Sequence, residues 1–416
     1  MESKLFTPYQ LGPITLKNRV IRSAAFENMC VNNEPTQQLE DYHVAVARGG
    51  VGMTTVAYCA VERSGASFDG QLYVHDEIKP GLKKLTDAIH AEGAKASIQL
   101  GHCGNMTHKA VCKCTPYGPS SGFNLYSPTI YRGITKDEIH RIVESFGKAV
   151  DFCRECGFDC VEIHCGHAYL ISQFINQSLN RRHDEYGGSL ENRMRFMNEV
   201  LDCVMQHAKD DMAVVVKTNM TDGYRRGMSM EEGMEVVKNI LSHGVHGIVL
   251  SAGTVSHTPM LILGGAMPLK ALAYYMDMKK FWWLKLALSI GGRIVIPTVK
   301  YRELYFMDWA KKFKNEFPDA NFIYVGGIQG RQNCETVLQE GFELMQIGHL
   351  LVNDPAFVNH MKEGDENYRS ACKRSNYCVG RMYSLDMQCH QCMQESLPKK
   401  LQKEIEKAEK DNNKLW

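Results

Sequence analysis

Short apolar runs alternate along the chain with longer stretches whose apolar residues recur every three or four positions. The short runs are RVIRSAA (19–25), VGMTTVAY (51–58), AKASIQLG (94–101), DCVEIH (159–164), AVVVKT (213–218), GIVLSA (247–252), FIYVGG (322–327) and ELMQIG (343–348). They are near-continuous in apolar character, as expected for strands covered on both faces. Between them, DEIHRIVESFGKAVDFCRECG sets Ile139, Ile142, Val143, Phe146, Val150 and Cys153 on one helical face, and Gly157 supplies the stop. MEEGMEVVKNILSHG (230–244) and CETVLQEG (334–341) have the same helix-then-glycine form. Eight such strands alternating with helices predict an α/β fold, a (β/α)₈ TIM barrel spanning residues 1–363. No short sequence repeat accompanies the alternation, so the repetition is structural.

Two stretches lie outside this count. Residues 256–303 form a long apolar and aromatic insertion between strands 6 and 7, which reads as a lid or binding surface. Its Tyr274, Tyr275, Trp282 and Trp283 suggest a pocket for a bulky hydrophobic substrate. Residues 364–416 form a C-terminal extension with a cysteine cluster and a charged helix-like run, LQKEIEKAEKDNNK, read as a solvated helix face.

Composition narrows the function classes. The chain is 44% hydrophobic with a net charge of +1, which gives no reason to expect nucleic acid or an acidic membrane surface as a partner. The opening MESKLFTPYQ lacks the layout of an export signal, and the longest apolar tract, FWWLKLALSIGG from Phe281, is too short to span a bilayer. The fifteen cysteines are scattered and read as reduced thiols, so a cytoplasmic location is expected. A homo-oligomer is compatible with this composition.

Barrel chemistry sits at the C-terminal ends of the strands. Reading those ends gives Ser23, Ala24, Ala25 and Phe26, then Ala57, Tyr58 and Ala60, then Gln99 with Gly101-His102-Cys103-Gly104. Next come His164, His167 and Tyr169, then Lys217, Ser251-Ala252-Gly253, Gly326-Gly327 and Gly348-His349. Glycine turns after strands 7 and 8 suit an anion, because backbone N–H groups can approach it closely. Lys217, ending a buried strand, needs a partner: either a structural salt bridge or an electron-rich ring. Gln99 can donate and accept along one ring edge. His164 and His167 could polarise a carbonyl oxygen, lie in the core, or ligate a metal. A metal would need a third ligand, and Glu162, two residues before His164, is equally explained as a strand core position. Tyr169, with an ordinary pKa of about 10, holds a proton it can donate.

These residues match a known pattern. GFDCVEIHCGHAYLISQFINQSLNRRHDEYGGSLENRMRF (157–196) closely resembles the signature of the Old Yellow Enzyme family of FMN-dependent ene-reductases. LGPITLKNRVIRSAA, SIQLGHCG, YVGGI and QIGH resemble its other motifs in order, so the resemblance covers roughly residues 4–360. It implies FMN across the barrel mouth, reduction by NADH or NADPH, and hydride transfer to the β-carbon of an α,β-unsaturated carbonyl compound, a small-molecule enone. It assigns His164 and His167 to the carbonyl oxygen and Tyr169 to protonation of the α-carbon. Gln99 would read the flavin ring, with Ala24, Ala25, Phe26 and Ala60 beside it. Lys217 would stand near flavin N1 and O2, and Gly326, Gly327, Gly348 and His349 around the phosphate.

Three departures from the family pattern stand out. Phe26 replaces a Thr or Cys, losing a hydrogen bond near flavin O4. Lys217 replaces the commoner Arg, giving a point charge for a fork. His349 replaces a phosphate-binding Arg, which predicts weaker or pH-sensitive cofactor binding. In the tail, Cys372, Cys378, Cys389 and Cys392 resemble the [4Fe-4S] segment of longer dienoyl-CoA-reductase relatives, but Ser375 stands where a second Cys belongs. That ligand count weighs against a cluster, with zinc a lesser option. Those relatives carry further flavin and nicotinamide domains, which this chain is expected to lack. The leading expectation is thus an NAD(P)H-dependent FMN ene-reductase, with steroid-like enones in view. The alternatives are an electron-transferring subunit of a larger dienoyl-type reductase and a non-catalytic flavin-binding partner.

Overall fold

The structure, a computed structural model, describes residues 3–124, 129–275, 286, 291–292, 296–364, 366–393 and 396–413. Eight parallel strands close a barrel in chain order. They are β1 (Val20–Arg22), β2 (Met53–Ala60), β3 (Lys95–Gly101), β4 (Cys160–Cys165), β5 (Ala213–Asn219), β6 (Gly247–Ser251), β7 (Phe322–Val325) and β8 (Leu344–Ile347). The ends of each fall within two residues of those of an apolar run read from the sequence, except that β1 stops three residues short. Around them lie α1 (Gln37–Arg48), α2 (Lys79–Ala91), α3 (Lys136–Glu155), α4 (Leu190–Ala208), α5 (Met230–Ser242), α6 (Met307–Glu316), α7 (Arg331–Gln339) and α8 (Phe357–Glu363). Capping boxes start α3 (Thr135 with Glu138) and α5 (Ser229 with Glu232). Gly157 ends the α3 turn at φ +84°, where a side chain would be strained and its Cβ would meet the Thr86 hydroxyl at 2.8 Å.

The strand period of two sorts the barrel interior into layers. Val161 and Ile163 of β4 face the helices, so Cys160, Glu162 and His164 share the inner face. The lowest layer is apolar: Ile21, Met53, Cys160, Ala213, Ile323 and Leu344. An N-terminal hairpin, Tyr9–Leu11 with Ile14–Leu16, caps the barrel floor with Leu11, Ile14 and Leu16. One step higher the inner residues turn polar, with Gln99, Glu162, Lys217 and Gln346 all buried. The mouth lies above this polar layer.

The segment between β6 and β7 carries helices Pro259–Leu263 and Leu269–Tyr275 before α6. Trp282 and Trp283, named as substrate-pocket aromatics, lie outside the described residues. The tail packs on this segment and on the mouth. Met260, Leu269 and Leu272 share an apolar cluster with Val379, Met382 and Met387. The last helix, Lys399–Asn413, is not simply a solvated face: Leu401, Ile405 and Ala408 are buried, and Ala271 and Tyr377 join Leu401 and Ile405 in one cluster. Its apolar residues recur at helical spacing but are too few to dominate a run so rich in charge. No helix among the described residues is long and apolar enough to cross a membrane.

Candidate active site

The mouth of the barrel holds a cavity of about 290 Å³. Ala24, Ala25 and Phe26 after β1 line it, with His167, Tyr169, Lys217, Gly326, Gly327, Gly348 and His349. These positions come from five strands and converge because each follows or ends a strand on the same barrel face.

His167 and Tyr169 line this cavity, and His164, which is not among its walls, clusters with them. The His164 ring centroid is 5.1 Å from that of His167 and 4.7 Å from that of Tyr169. Tyr58, on β2, adds a fourth ring 5.1 Å from Tyr169. The turn after β4 makes this possible. His167 and Ala168 both adopt positive φ, at 59° and 65°, a conformation non-glycine residues resist. The Asn219 side chain accepts from the His167 main-chain N–H at 3.2 Å and holds the turn. The His167 Nε2 lies 2.8 Å from the Ser251 hydroxyl. His164 Nδ1 is buried without a hydrogen-bond partner among the described residues, a polar atom that awaits one.

Burial pushes the His164 imidazole well below its ordinary value. It lowers His167 to about 3, with the Lys217 cation adding to the effect. Burial likewise raises the Tyr169 phenol. At neutral pH the site therefore holds two neutral imidazoles and a protonated phenol. Between the ordinary value of about 6.5 and the folded value, the unfolded chain takes up a proton that folded His167 refuses. Stability is then full above about pH 6.5 and declines as the pH falls towards about 3, the folded value of His167. The melting temperature should fall over that window, and less steeply in His167→Asn. Parallel profiles for the two proteins would contradict this account.

Below the rings lies the buried polar layer. Glu162 is its hub. It accepts from Lys217 Nζ at 2.7 Å, from Gln99 Nε2 at 2.7 Å and from Gln346 Nε2 at 2.5 Å. Gln346 Oε1 accepts in turn from the Ser23 hydroxyl at 3.1 Å. The Lys217 side chain thus has the salt-bridge partner that a buried cation requires. Gln99 donates its amide N–H to Glu162; it and Ala60 are buried and are not among the residues lining the cavity.

The other sequence-derived positions divide. Phe26 stacks on Phe68 with centroids 4.8 Å apart, turning the lost hydrogen-bonding position into an aromatic wall. Gly326 and Gly327 have φ of +119° and +76°; a Cβ on Gly327 would come within 2.6 Å of the Leu304 main-chain nitrogen. A Cβ on Gly348 would meet nothing closer than Ser23 at 4.0 Å, so this glycine leaves open wall beside the cavity. Burial lowers His349 to about 4. Tyr274 and Tyr275 are not among the cavity's walls; Tyr275 hydrogen-bonds Tyr377 of the tail at 2.5 Å. Cys372 reaches the cavity, but no group of three or more His, Cys, Asp or Glu among the described residues is placed to hold a metal ion. Cys372, Cys378, Cys389 and Cys392 are all free thiols.

Sequence reasoning placed Ser251 at a strand end and weighed Glu162 as a metal ligand without giving either a role in the site, and it did not name Gln346 or Arg374. A signal existed for two of them. Glu162 and Gln346 are inward-facing polar residues in strands otherwise apolar, which is costly unless they are partnered.

Comparison with known proteins agrees with this architecture. Residues 4–257 match the NADH:flavin oxidoreductase / NADH oxidase family. A 4,4'-dithiodibutanoate disulfide reductase of Rhodococcus erythropolis is 32% identical over 381 residues, covering 91% of this chain and 93% of the relative. An NADH oxidase of Thermoanaerobacter brockii is 28% identical over 90% of this chain, which spans only 53% of that relative's length. Among solved structures, a 2-naphthoyl-CoA reductase superposes with a TM-score of 0.79 at 23% identity, over 94% of this chain and 57% of its own; that likeness speaks to the fold alone. The chain is an oxidoreductase belonging to the NADH:flavin oxidoreductase / NADH oxidase family, as its resemblance to Old Yellow Enzyme led us to expect.

Proposed function

We propose that this chain is an FMN-dependent ene-reductase that uses NADH or NADPH to reduce the activated C=C bond of apolar α,β-unsaturated carbonyl compounds. The observation that carries the reading is that His167 and Tyr169, with His164 packed against both, line a cavity that Gly326, Gly327 and Gly348 also wall. The residues fit a flavin mononucleotide. The open wall at Gly348 and the positive-φ turn at Gly326-Gly327 suit its phosphate. When bound, FMN supplies the hydride; the protein supplies orientation and polarisation.

The chain's own residues do the rest. Reduction of the double bond puts negative charge on the carbonyl oxygen. Two neutral imidazoles offer one N–H each to that oxygen without the desolvation cost of buried cations. With the Ser251 hydroxyl as donor to His167 Nε2, 2.8 Å away, the Nδ1–H is left for the substrate. Tyr169, kept protonated by burial, delivers the proton to the α-carbon. The cavity wall beside these groups is apolar: Ile262 and Leu263 from the insertion, Met382 and Tyr383 from the tail. Those four residues, and not Tyr274 or Tyr275, set the size of substrate accepted.

The test is anaerobic mixing of the reduced enzyme with enones of graded size, from cyclohexenone to steroid enones. Rapid reoxidation by some members of the series, with a size cut-off relaxed in Leu263→Ala, is expected. A reduced enzyme indifferent to every enone would end the proposal.

A second reading is favoured by the Rhodococcus relative, a disulfide reductase by name. Cleaving an S–S bond needs no proton on carbon, so an aliphatic disulfide should still reoxidise Tyr169→Phe at close to the normal rate if that chemistry runs here.

A further inference from the structure

Two thiols of the tail lie outside the site described above. Cys389-His390-Gln391-Cys392 is a C-x-x-C sequence, the spacing at which a pair of thiols exchanges with a disulfide. Resemblance to an iron–sulfur segment does not account for them, because the Ser375 hydroxyl stands in the second ligand position. Among the described residues no group of three or more His, Cys, Asp or Glu is placed to hold a metal ion.

Geometry makes these thiols a pair. The Cys392 main-chain N–H donates to the Cys389 carbonyl at 3.0 Å, closing a turn over His390–Cys392. A turn closed this way brings its first and last Cα atoms within about 7 Å, and a disulfide spans about 4.4–6.8 Å. Residues three apart on a 3-10 turn eclipse, so both side chains leave on one side. They meet at Asn353. Its Nδ2 lies 3.4 Å from Cys389 Sγ and 4.0 Å from Cys392 Sγ, and the Cys392 thiol donates to the Asn353 carbonyl at 3.5 Å. Asn353 ends the short helix His349–Asn353 after β8, so the meeting point is anchored to the barrel. The turn is anchored too. His390 Nε2 lies 3.1 Å from Glu409 of the last helix, and Gln391 Oε1 accepts from Asn353 Nδ2 at 2.8 Å.

The two sulfurs differ in access. Of the fifteen cysteines, all within the described residues, Cys392 alone is exposed. Cys389 is 9% exposed. An incoming disulfide therefore meets Cys392 first, and Cys389 stands behind it. An amide N–H directed at a sulfur favours the thiolate, the form that attacks. One exposed sulfur beside a buried partner admits a small disulfide without a docking face.

We infer that Cys389 and Cys392 form a thiol–disulfide exchange site whose substrates are disulfides of low molecular weight. The Cys392 thiolate attacks one sulfur of RS–SR, forming a mixed disulfide and expelling RS⁻. The Cys389 thiolate then attacks the Cys392 sulfur, closing the Cys389–Cys392 bond and expelling the second RS⁻. The two cysteine protons end on the two released thiols: one disulfide is reduced and two cysteines are oxidised. Excess thiol runs the same steps backwards and restores the dithiol. Neither step uses flavin or nicotinamide, so the inference stands apart from the proposed function.

The test treats the chain with excess oxidised glutathione, without nicotinamide, so that the flavin site has no source of electrons. Remaining thiols are alkylated and mapped by mass spectrometry. The unaltered chain should lose two alkylatable thiols, Cys389 and Cys392, joined to each other, and dithiothreitol should return both. Cys389→Ser should stop at glutathione bound to Cys392. Cys392→Ser should leave Cys389 unmodified. Glutathione retained on Cys392 of the unaltered chain, a bond from either cysteine to a third, or no loss of thiols would overturn the inference. So would iron or zinc held by these cysteines in protein purified without oxygen. None of these results touches the flavin reading, whose own test is reoxidation by enones.

Discussion

Replacing Tyr169 with Phe is expected to slow reoxidation of the reduced enzyme by an enone roughly 10²- to 10⁴-fold, the usual contribution of a positioned general acid. Reduction by the nicotinamide should be unchanged, because that half-reaction needs no proton on carbon. The two half-reactions, followed separately by rapid mixing, make the split visible. The geometry gives the reason for so large an effect. The Tyr169 ring packs between Tyr58 and His164, so Phe keeps the apolar contacts and loses only the hydroxyl. Burial holds that phenol protonated, and bulk water has no comparable route to a carbon enclosed by the cavity wall. Equal slowing of both half-reactions would mean that Tyr169 shapes the flavin site and does not deliver a proton.

Much of this could be read in the sequence because the barrel imposes two simple periodicities. Strands buried on both faces must be apolar throughout, and the helices between them must carry one apolar stripe. Cys160, Glu162 and His164 then follow at alternate positions, and the polar residues nearest the strand ends mark the mouth. What stayed hidden depends on contacts between distant segments. Nothing local distinguishes a Lys217 that faces a ring from one paired with Glu162; the pairing is set by the register that lays β4 against β5. The hydrogen bond from Gln99 to Glu162 is set by register in the same way. Arg374 is invisible to strand patterning because it lies in a tail whose path is fixed by Asn412, Asn376 and Gln329. The tail helix misled for a compositional reason: one stripe of Leu401, Ile405 and Ala408 is enough to dock it, however charged the remainder. The cysteine positions were legible as residues, but whether they share a centre is a question of loop geometry that spacing does not answer.

The barrel's buried polar layer carries the largest expected effect on stability. Glu162→Gln is nearly isosteric and keeps polar atoms within reach of Gln99 and Gln346, so it isolates the charge. Lys217 would then be a buried cation, 3% exposed, with no counter-ion opposite it. Breaking a buried pair from one side costs ~3–5 kcal/mol, because the remaining ion keeps its full desolvation penalty. The urea midpoint of the flavin-free chain should drop accordingly. Adding Lys217→Met to that variant should recover most of the loss, since the orphaned charge goes with the lysine and the stem's apolar contacts remain. The cycle of both single variants and the double variant then yields a coupling energy well above that of residues that merely share a fold. Removing Lys217 also carries a second, independent signature. Its cation is one of the two causes holding His167 down near 3, so Lys217→Met should let His167 titrate higher, as read by imidazole NMR. A double variant no more stable than Glu162→Gln alone, with His167 unmoved, would mean that the pair is incidental to the site; recovery with a raised His167 would tie the barrel's polar layer to the protonation state of the imidazoles proposed to bind the substrate.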